Sequence, residues 1–193
     1  MLQQLVPALR MTLVLTVFTG LLYPGIVTGL CQILFRQQAN GSLIVQNGQV
    51  IGSSLLGQAF TRPEYFHPRP SGAGNDGYDP TASGSSNLGP TNQKLYDRVK
   101  ASAEQFRKEN PDYTGPIPAD ALTQSASGLD PDISAANAAA QVARVAKARH
   151  TGVSQVESMI ASATEGRDLG FLGEPRVNVL KLNLALDRQL AGR

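Results

Sequence analysis

Apolar and polar positions are unevenly distributed along this chain, and one long apolar run dominates its first part. From Met11 to Phe35 no side chain is charged, and Arg10 and Arg36 bound the run. A helix of this length spans roughly 38 Å, which exceeds the ~30 Å hydrocarbon core of a bilayer. The run is too long for the apolar region of a signal peptide, and no small-residue cleavage site ends it. It predicts a transmembrane helix over residues 11–35.

The charges beside the run indicate its orientation. The N-terminal side carries Arg10 and the α-amino group, whereas the other side carries Arg36 and then no basic residue until Arg62. Positively charged flanks stay in the cytoplasm. By a margin of about one charge, this rule predicts a short cytoplasmic segment over residues 1–10 and an extracytoplasmic soluble domain over residues 36–193.

Small or kinking residues recur on one face of the predicted membrane helix. Every fourth position is of this kind: Thr12, Thr16, Gly20, Pro24 and Thr28. Gly25 and Gly29 form a G-x-x-x-G pattern on a neighbouring stripe. Because small residues let helix backbones approach closely, we expect Thr16, Gly20, Gly25 and Gly29 to contact a partner helix. The alternative is that Gly and Pro are simply common in membrane helices.

The periodicity of the soluble part predicts an α+β domain. Leu43–Val45 and Val50–Ile51 lie on either side of Asn47-Gly48, the strongest two-residue signal for a hairpin. Val177–Leu186 alternates between Leu and other residues, which predicts a half-buried C-terminal strand. Helical spacing and capping residues predict about three helices between them, over residues 93–108, 134–150 and 154–166.

A long stretch between Phe60 and Asn92 is rich in Gly, Pro, Ser and Asn. Such composition usually marks a linker, but this stretch also holds aromatic residues that disordered chains tend to lack. It therefore predicts a long ordered loop with a function. Aromatic and Arg side chains are common anchors of interfaces, so Phe66 and Arg69 are candidate partner contacts. The alternative for Phe66 is ordinary burial in the core.

Candidate catalytic chemistry is sparse in this sequence. The net charge is +2 without a basic run, which argues against a nucleic-acid partner. The only histidines are His67 and His150, and their spacing does not predict a metal site. Gly84–Thr91 has the glycine spacing of a phosphate-binding loop, but Pro90 occupies the position of the required Lys. The sequence therefore predicts no catalytic residue, no metal and no firmly bound cofactor.

Seven motifs of unusual composition follow the apolar run. Their order is NGSLI (40–44), GSSLLGQAF (52–60), YFHPRPS (65–71), SGSSNLGPTN (83–92), SASGLDPDIS (125–134), QVARVAKAR (141–149) and VNVLKLNLALD (177–187). Together with the membrane helix they resemble the KdpC family, the small C subunit of the bacterial Kdp potassium-transporting ATPase. The resemblance covers nearly the whole chain.

The resemblance implies a non-catalytic accessory subunit in the bacterial inner membrane, surrounded by lipid. Its expected partners are a channel-like potassium-translocating subunit and a P-type ATPase subunit, and ATP is expected to act through the latter. Members of the family have been described as catalytic chaperones that raise the ATP affinity of the ATPase subunit. Part of that description rests on a likeness to the signature loop of ABC transporters. Here the matching segment, Thr151–Gln155, keeps Gln155 but lacks the leucine and serine that begin the signature.

An extracytoplasmic domain never meets cytoplasmic ATP, so an effect on ATP affinity would pass through the membrane helices. A cap over the outer mouth of the channel-like subunit is then the natural role of the domain. The alternative function is a membrane-anchored periplasmic binding protein or enzyme that acts alone. The small-residue face of the helix and the absence of a catalytic set favour the subunit.

A reporter that works only in the cytoplasm, fused after Arg193, tests the orientation. We expect it to be silent, because the flanking charges predict that the domain is exported. A reporter that works only after export, fused at the same position, is the control and should be active. The reverse pattern would invert the topology and would make a direct contact between ATP and Gln155 possible.

Overall fold

The computed structural model describes residues 2–190, which form helices and short strands. The helices are α1 Leu2–Val17, α2 Tyr23–Leu34, α3 Arg36–Ala39, α4 Gln93–Glu109, α5 Ala135–Ala148, α6 Val153–Ala163 and α7 Val179–Leu190. The strands are β1 Leu43–Gln46, β2 Gln49–Ser53, β3 Asp132–Ser134, β4 Thr164–Glu165 and β5 Arg176–Asn178. The chain divides into two units, Met1–Ile51 and Gly52–Arg193. The α+β prediction is confirmed.

The first unit is dominated by a helical rod in which a π-helical turn, Phe18–Leu22, joins α1 to α2. The N–H of Tyr23 donates to the carbonyl of Phe18 across this wider turn. Pro24 explains the change, because it has no N–H to donate to the carbonyl four residues earlier. The segment Gln3–Leu34 is long and apolar enough to cross a membrane, and none of its most apolar window is buried within the chain.

The hairpin β1–β2 follows the rod and turns at Asn47-Gly48 as predicted. Asn47 has a φ of 51° and Gly48 a φ of 78°. Positive φ at both central positions is the requirement of a type I′ turn, whose twist matches that of the paired strands. The hairpin prediction is therefore confirmed, including its turn residues.

The second unit is built on a three-stranded antiparallel sheet in the order β3–β5–β4. Val177 on the central strand lies opposite both Ile133 and Thr164. Helices α5, α6 and α7 contribute most of the core, which also includes one side chain from the long loop. Its fully buried or nearly buried members are Phe66, Ile133, Ala138, Val142, Val145, Ala146, Val156, Met159, Ile160, Val177, Val179, Leu182 and Leu186.

The three helices predicted between the strands are confirmed as α4, α5 and α6. Asn92 caps α4 by accepting a hydrogen bond from the N–H of Lys94, and Ser134 caps α5 in the same way. The predicted span of residues 154–166 was less accurate, because α6 begins at Val153, directly after its N-cap residue Gly152. That helix ends at Ala163 and leads directly into β4.

The predicted strand over Val177–Leu186 is wrong beyond Asn178, because α7 begins at Val179. The Asn178 side chain accepts a hydrogen bond from the N–H of Lys181, which satisfies a free donor in the first helical turn. Leucines at alternate positions suited a strand. The same sequence also places apolar residues three, four and seven positions apart, which suits a helix equally well.

Substitution of two leucines can distinguish a helix from a strand in this segment. In a strand both leucines would lie on the same face. Leu182 is buried in the core, whereas Leu184 is only partly buried. We expect Leu182→Ala to lower the free energy of unfolding by about 2–5 kcal/mol, and Leu184→Ala to lower it clearly less. Chemical denaturation of the full-length chain in mild detergent measures both. Equal losses would contradict the helical assignment.

Candidate functional site

A long loop, residues 54–92, connects β2 to α4 and contains no helix or strand. Buried backbone polar groups need hydrogen-bond partners, and a loop without strand neighbours must find them elsewhere. Phe66 and Ala73 are completely buried, so the loop is packed into the domain rather than laid over it. Which side chains of this loop are available for partner contact therefore depends on how its backbone is bound within the domain.

Two amide side chains hold the centre of the loop. The N–H of Phe66 donates to Asn183 Oδ1 at 2.8 Å, and Asn183 Nδ2 donates to the carbonyl of Phe66 at 3.0 Å. Gln141 repeats this arrangement on His67, at 2.8 and 3.0 Å. Each amide group supplies the pair of hydrogen bonds that a neighbouring strand would have supplied. We call these two side chains the amide clamps.

A buried arginine secures the segment before the clamps. Arg144 is 8% exposed, and its Nη1 donates to the carbonyls of Pro63 and Tyr65 at 2.7 and 2.8 Å. Its Nε donates to Asn110 Oδ1 at 3.0 Å. Burial lowers the pKa of Arg144 to about 10, so the guanidinium remains charged at neutral pH. A buried charge is tolerated here because carbonyl and amide oxygens surround it.

Ion pairs complete the attachment of the loop. Arg149 forms a salt bridge with Asp187 at 2.7 Å and donates to the carbonyl of Glu64 at 2.6 Å. His67 Nδ1 lies 3.1 Å from Glu109 Oε2. The hydrogen bond with His67 holds the pKa of Glu109 below its usual value. Helices α4, α5 and α7 thus all contact the same short stretch of loop.

The second half of the loop packs against residues 125–130. Arg69 forms a salt bridge with Asp130 at 2.7 Å, and the Tyr78 hydroxyl donates to the carbonyl of Arg69. Burial raises the pKa of the Tyr78 hydroxyl well above its usual range. Gly128 has a φ of +69°, and a Cβ atom there would lie 2.6 Å from the carbonyl oxygen of Gly84. Only glycine fits this contact between the two segments.

A cleft of 550 Å³ lies between the loop and α4, and its lining includes His67, Arg69 and Arg98. Arg98 Nη1 donates to Ser86 Oγ at 2.7 Å and to Gln124 Oε1 at 2.8 Å, which ties the loop to the helix. Arg69 Nε and Arg98 Nε, two buried atoms of its lining residues, have no hydrogen-bond partner in the described part of the chain. Within residues 2–190, no three His, Cys, Asp or Glu side chains come together as a possible metal site.

The structure places the predicted contact residues in different settings. Phe66 belongs to the core, which is the alternative that the sequence left open, and its side chain has no exposed surface to offer a partner. Arg69 is partly buried and paired within the domain. Gln155 lies in the first turn of α6, where its Oε1 accepts a hydrogen bond from Thr151 Oγ1 at 2.8 Å. The small residues of the membrane helix are exposed within this chain.

Sequence reasoning missed the residues that organise the loop, namely Gln141, Arg144 and Asn183. Gln141 and Arg144 interrupt the apolar face of α5, between Ala138 and Val145. A polar residue on a buried helix face needs a partner, so these interruptions were the available signal. The sequence alone does not show that this partner is the loop.

Comparison with known proteins identifies the family of this chain. A family model described as KdpC, the c chain of the K+-transporting ATPase, matches residues 5–188. The chain belongs to the KdpC family. The potassium-transporting ATPase KdpC subunit of Gemmatimonas aurantiaca is 56% identical over 187 residues, 97% of this chain and 94% of the relative. That of Mycobacterium tuberculosis is 57% identical over 188 residues, 96% and 98% of the two chains. That of Myxococcus xanthus is 57% identical over 183 residues, 94% and 86%.

The amide clamps of this KdpC domain can be tested by removing one of them. We expect Asn183→Leu to lower the free energy of unfolding by about 2–6 kcal/mol, because it leaves two buried backbone groups of Phe66 unpaired. Asn75→Leu, at an exposed position of the same loop, is the matched control and should have little effect. Equal stability of the two variants in denaturation experiments would show that the clamp is not needed.

Proposed function

We propose that this chain is a non-catalytic accessory subunit of a potassium-transporting ATPase in the bacterial inner membrane. It is needed to assemble a complex with a channel-like subunit and a P-type ATPase subunit. The observation that carries the proposal is the family match over residues 5–188, whose description names the c chain of that ATPase. Relatives with the same printed role align with almost the whole chain.

The membrane helix supplies one contact with the other subunits. Support comes from the glycines on its surface, because a Cβ atom added at Gly25 or Gly29 meets nothing within 4 Å in this chain. These positions do not need to be small for the sake of the chain itself. A closely packed neighbouring helix would need them to be small, since lipid-buried helices associate through such approaches. Thr16 and Gly20 extend the same contact toward the N-terminus.

The π-helical turn strengthens this proposal. Pro24 and the wider turn before it leave the regular hydrogen-bond pattern of the helix interrupted between Phe18 and Leu22. Polar backbone groups freed in a membrane are usually satisfied by a neighbouring helix or side chain. A partner subunit is the natural source of such a group.

The soluble domain acts outside the cytoplasm as a rigid cap over the outer mouth of the channel-like subunit. Support comes from the flanking charges of the membrane helix and from the fixed shape of the loop. The domain raises the ATP affinity of the complex indirectly, by favouring one arrangement of the membrane helices. An indirect effect of this kind does not need Gln155, which accepts a hydrogen bond from Thr151 Oγ1 at the start of α6, to contact ATP.

Replacing both glycines of the membrane helix tests the assembly. We expect the double variant Gly25→Leu, Gly29→Leu to release the other subunits when the complex is extracted in mild detergent. The reason is steric, because leucine fits the isolated chain but not a close helix contact. The measurement is the amount of ATPase and channel-like subunit that co-purifies with the tagged chain.

Two further variants make this measurement decisive. Gly25→Ala with Gly29→Ala should release less, because the added bulk is smaller. Ile26→Leu with Leu30→Ile changes the same segment without changing its bulk and should release nothing. Full retention of partners by the leucine variant would show that the soluble domain alone holds the complex together.

A further inference from the structure

The cleft between the long loop and α4 has the size and lining of a binding site for a small molecule. Its volume of 550 Å³ lies within the usual range of such sites, roughly 300–1,000 Å³. Most of its lining is apolar and includes Phe60, Pro68, Pro70 and Phe106. Sites for small ligands combine apolar walls with a few polar groups that orient the ligand. The polar groups of this cleft therefore indicate which ligand it would bind.

Two arginines of the lining, Arg69 and Arg98, have unused hydrogen-bond donors. Among the residues that the structure describes, Nη1 is the only atom of either guanidinium group that forms a hydrogen bond. The Nε of each is buried and unpaired there. An unpaired buried donor costs free energy, so each such group calls for an explanation. Because Nε and Nη2 form one edge of a guanidinium group, this unused edge matches the two oxygens of a carboxylate.

The two arginines differ in how their charge is compensated. Arg69 forms its salt bridge with Asp130, which neutralises it. Arg98 donates to Ser86 and Gln124, and both of these partners are uncharged. None of the ion pairs within residues 2–190 includes Arg98. Its positive charge is therefore partly buried without an acidic partner from the described chain.

Two carboxylates also line the cleft, but neither compensates Arg98. Glu109 is bonded to His67, and it lies roughly three turns and 16 Å further along α4 than Arg98. Asp76 is exposed and forms no ion pair with Arg98, so water screens its charge. The cleft thus has a cationic end at Arg98, and apolar side chains such as Phe106 follow from it along α4.

We propose that this cleft binds a small organic monocarboxylate with an apolar body, whose carboxylate pairs with the Nε–Nη2 edge of Arg98. A single uncompensated cation matches a single negative charge, which favours a carboxylate over a doubly charged phosphate. The apolar body lies along α4 against the wall that includes Phe60 and Phe106. Because Nε is buried, the Arg98 side chain turns slightly to present this edge to the ligand. Such a ligand site goes beyond the role of an accessory subunit.

Titration calorimetry on the full-length chain in mild detergent tests the inference, with the heat from protein-free detergent subtracted. The probe is 4-phenylbutanoate, which joins a carboxylate to an apolar body. Its neutral amide, 4-phenylbutanamide, keeps the body and lacks the charge, whereas acetate keeps the charge and lacks the body. We expect 4-phenylbutanoate to bind at least about tenfold more tightly than either, because only this probe uses both the cationic end and the apolar wall.

Three variants locate the binding. Arg98→Gln should weaken binding of 4-phenylbutanoate roughly 10- to 100-fold, the usual effect of losing hydrogen bonds to a charged group. Arg107→Gln removes an exposed arginine from the same helix and is the matched control, which should bind as the original chain does.

The third variant separates binding from stability, because Arg98→Gln also removes the hydrogen bond to Ser86 and could disturb the loop. Ala101→Phe leaves Arg98 in place and adds a ring at an exposed position of the cleft lining. It should abolish binding by filling the cleft, while the chain unfolds at nearly the same temperature as the original.

Any of four outcomes would overturn the inference. The first is no heat from 4-phenylbutanoate above that of protein-free detergent, and the second is binding of the amide or of acetate as tight as that of the probe. The third is undiminished binding by Arg98→Gln, and the fourth is undiminished binding by Ala101→Phe. Because the chain is measured without other subunits, these results do not depend on whether the proposed assembly forms.

Discussion

The structure of the soluble domain depends on how the backbone of one extended loop segment is satisfied. Residues 63–67 lie against helices and have no strand neighbour, so side chains must supply the hydrogen bonds of a ladder. Asn183 and Gln141 do so for the N–H and C=O groups of two successive residues, Phe66 and His67. With Phe66 fixed in this way, its ring fills the centre of the core. Three helices are therefore held together through a segment that has no regular structure of its own.

This arrangement separates the parts of the domain that hold its shape from the parts that are available for contact. The long loop, despite its aromatic and Arg residues, directs most of them inward or pairs them within the domain. The turn between β4 and β5 does the opposite, since Asp168 and Leu172 pair their backbone groups with each other and the side chains of Leu169 and Phe171 are exposed. In the membrane segment, likewise, the glycines have no neighbour within the chain. An accessory subunit with exposed residues of this kind in each of its two units can contact its partners at more than one place.

Much of the fold could be predicted because its signals are local. Asn47-Gly48 fixes a turn by its own conformational preference. The apolar run predicts a membrane helix by its length alone. The prediction of a strand for the C-terminal segment was wrong beyond Asn178. The spacing of its leucines fits a strand and a helix equally well, and only tertiary packing selects the helix. The inward position of Phe66 and the amide clamps depend on residues far away in the sequence, so no local pattern could identify them. The exposure of Phe171 could not be predicted either, because an apolar residue in a turn is equally compatible with a buried position.

The length of sequence between clamp partners determines when this domain can form. Phe66 and Asn183 are 117 residues apart, and His67 and Gln141 are 74 apart. As the chain leaves the ribosome, the loop is made long before α7 exists. Contacts of high sequence separation form late, because a large loop must close before they stabilise anything. The loop therefore lacks these partners until α7 has been made. A product that ends before α7 would leave the backbone of Phe66 without this pair of hydrogen bonds, so the domain depends on that helix to reach its folded shape.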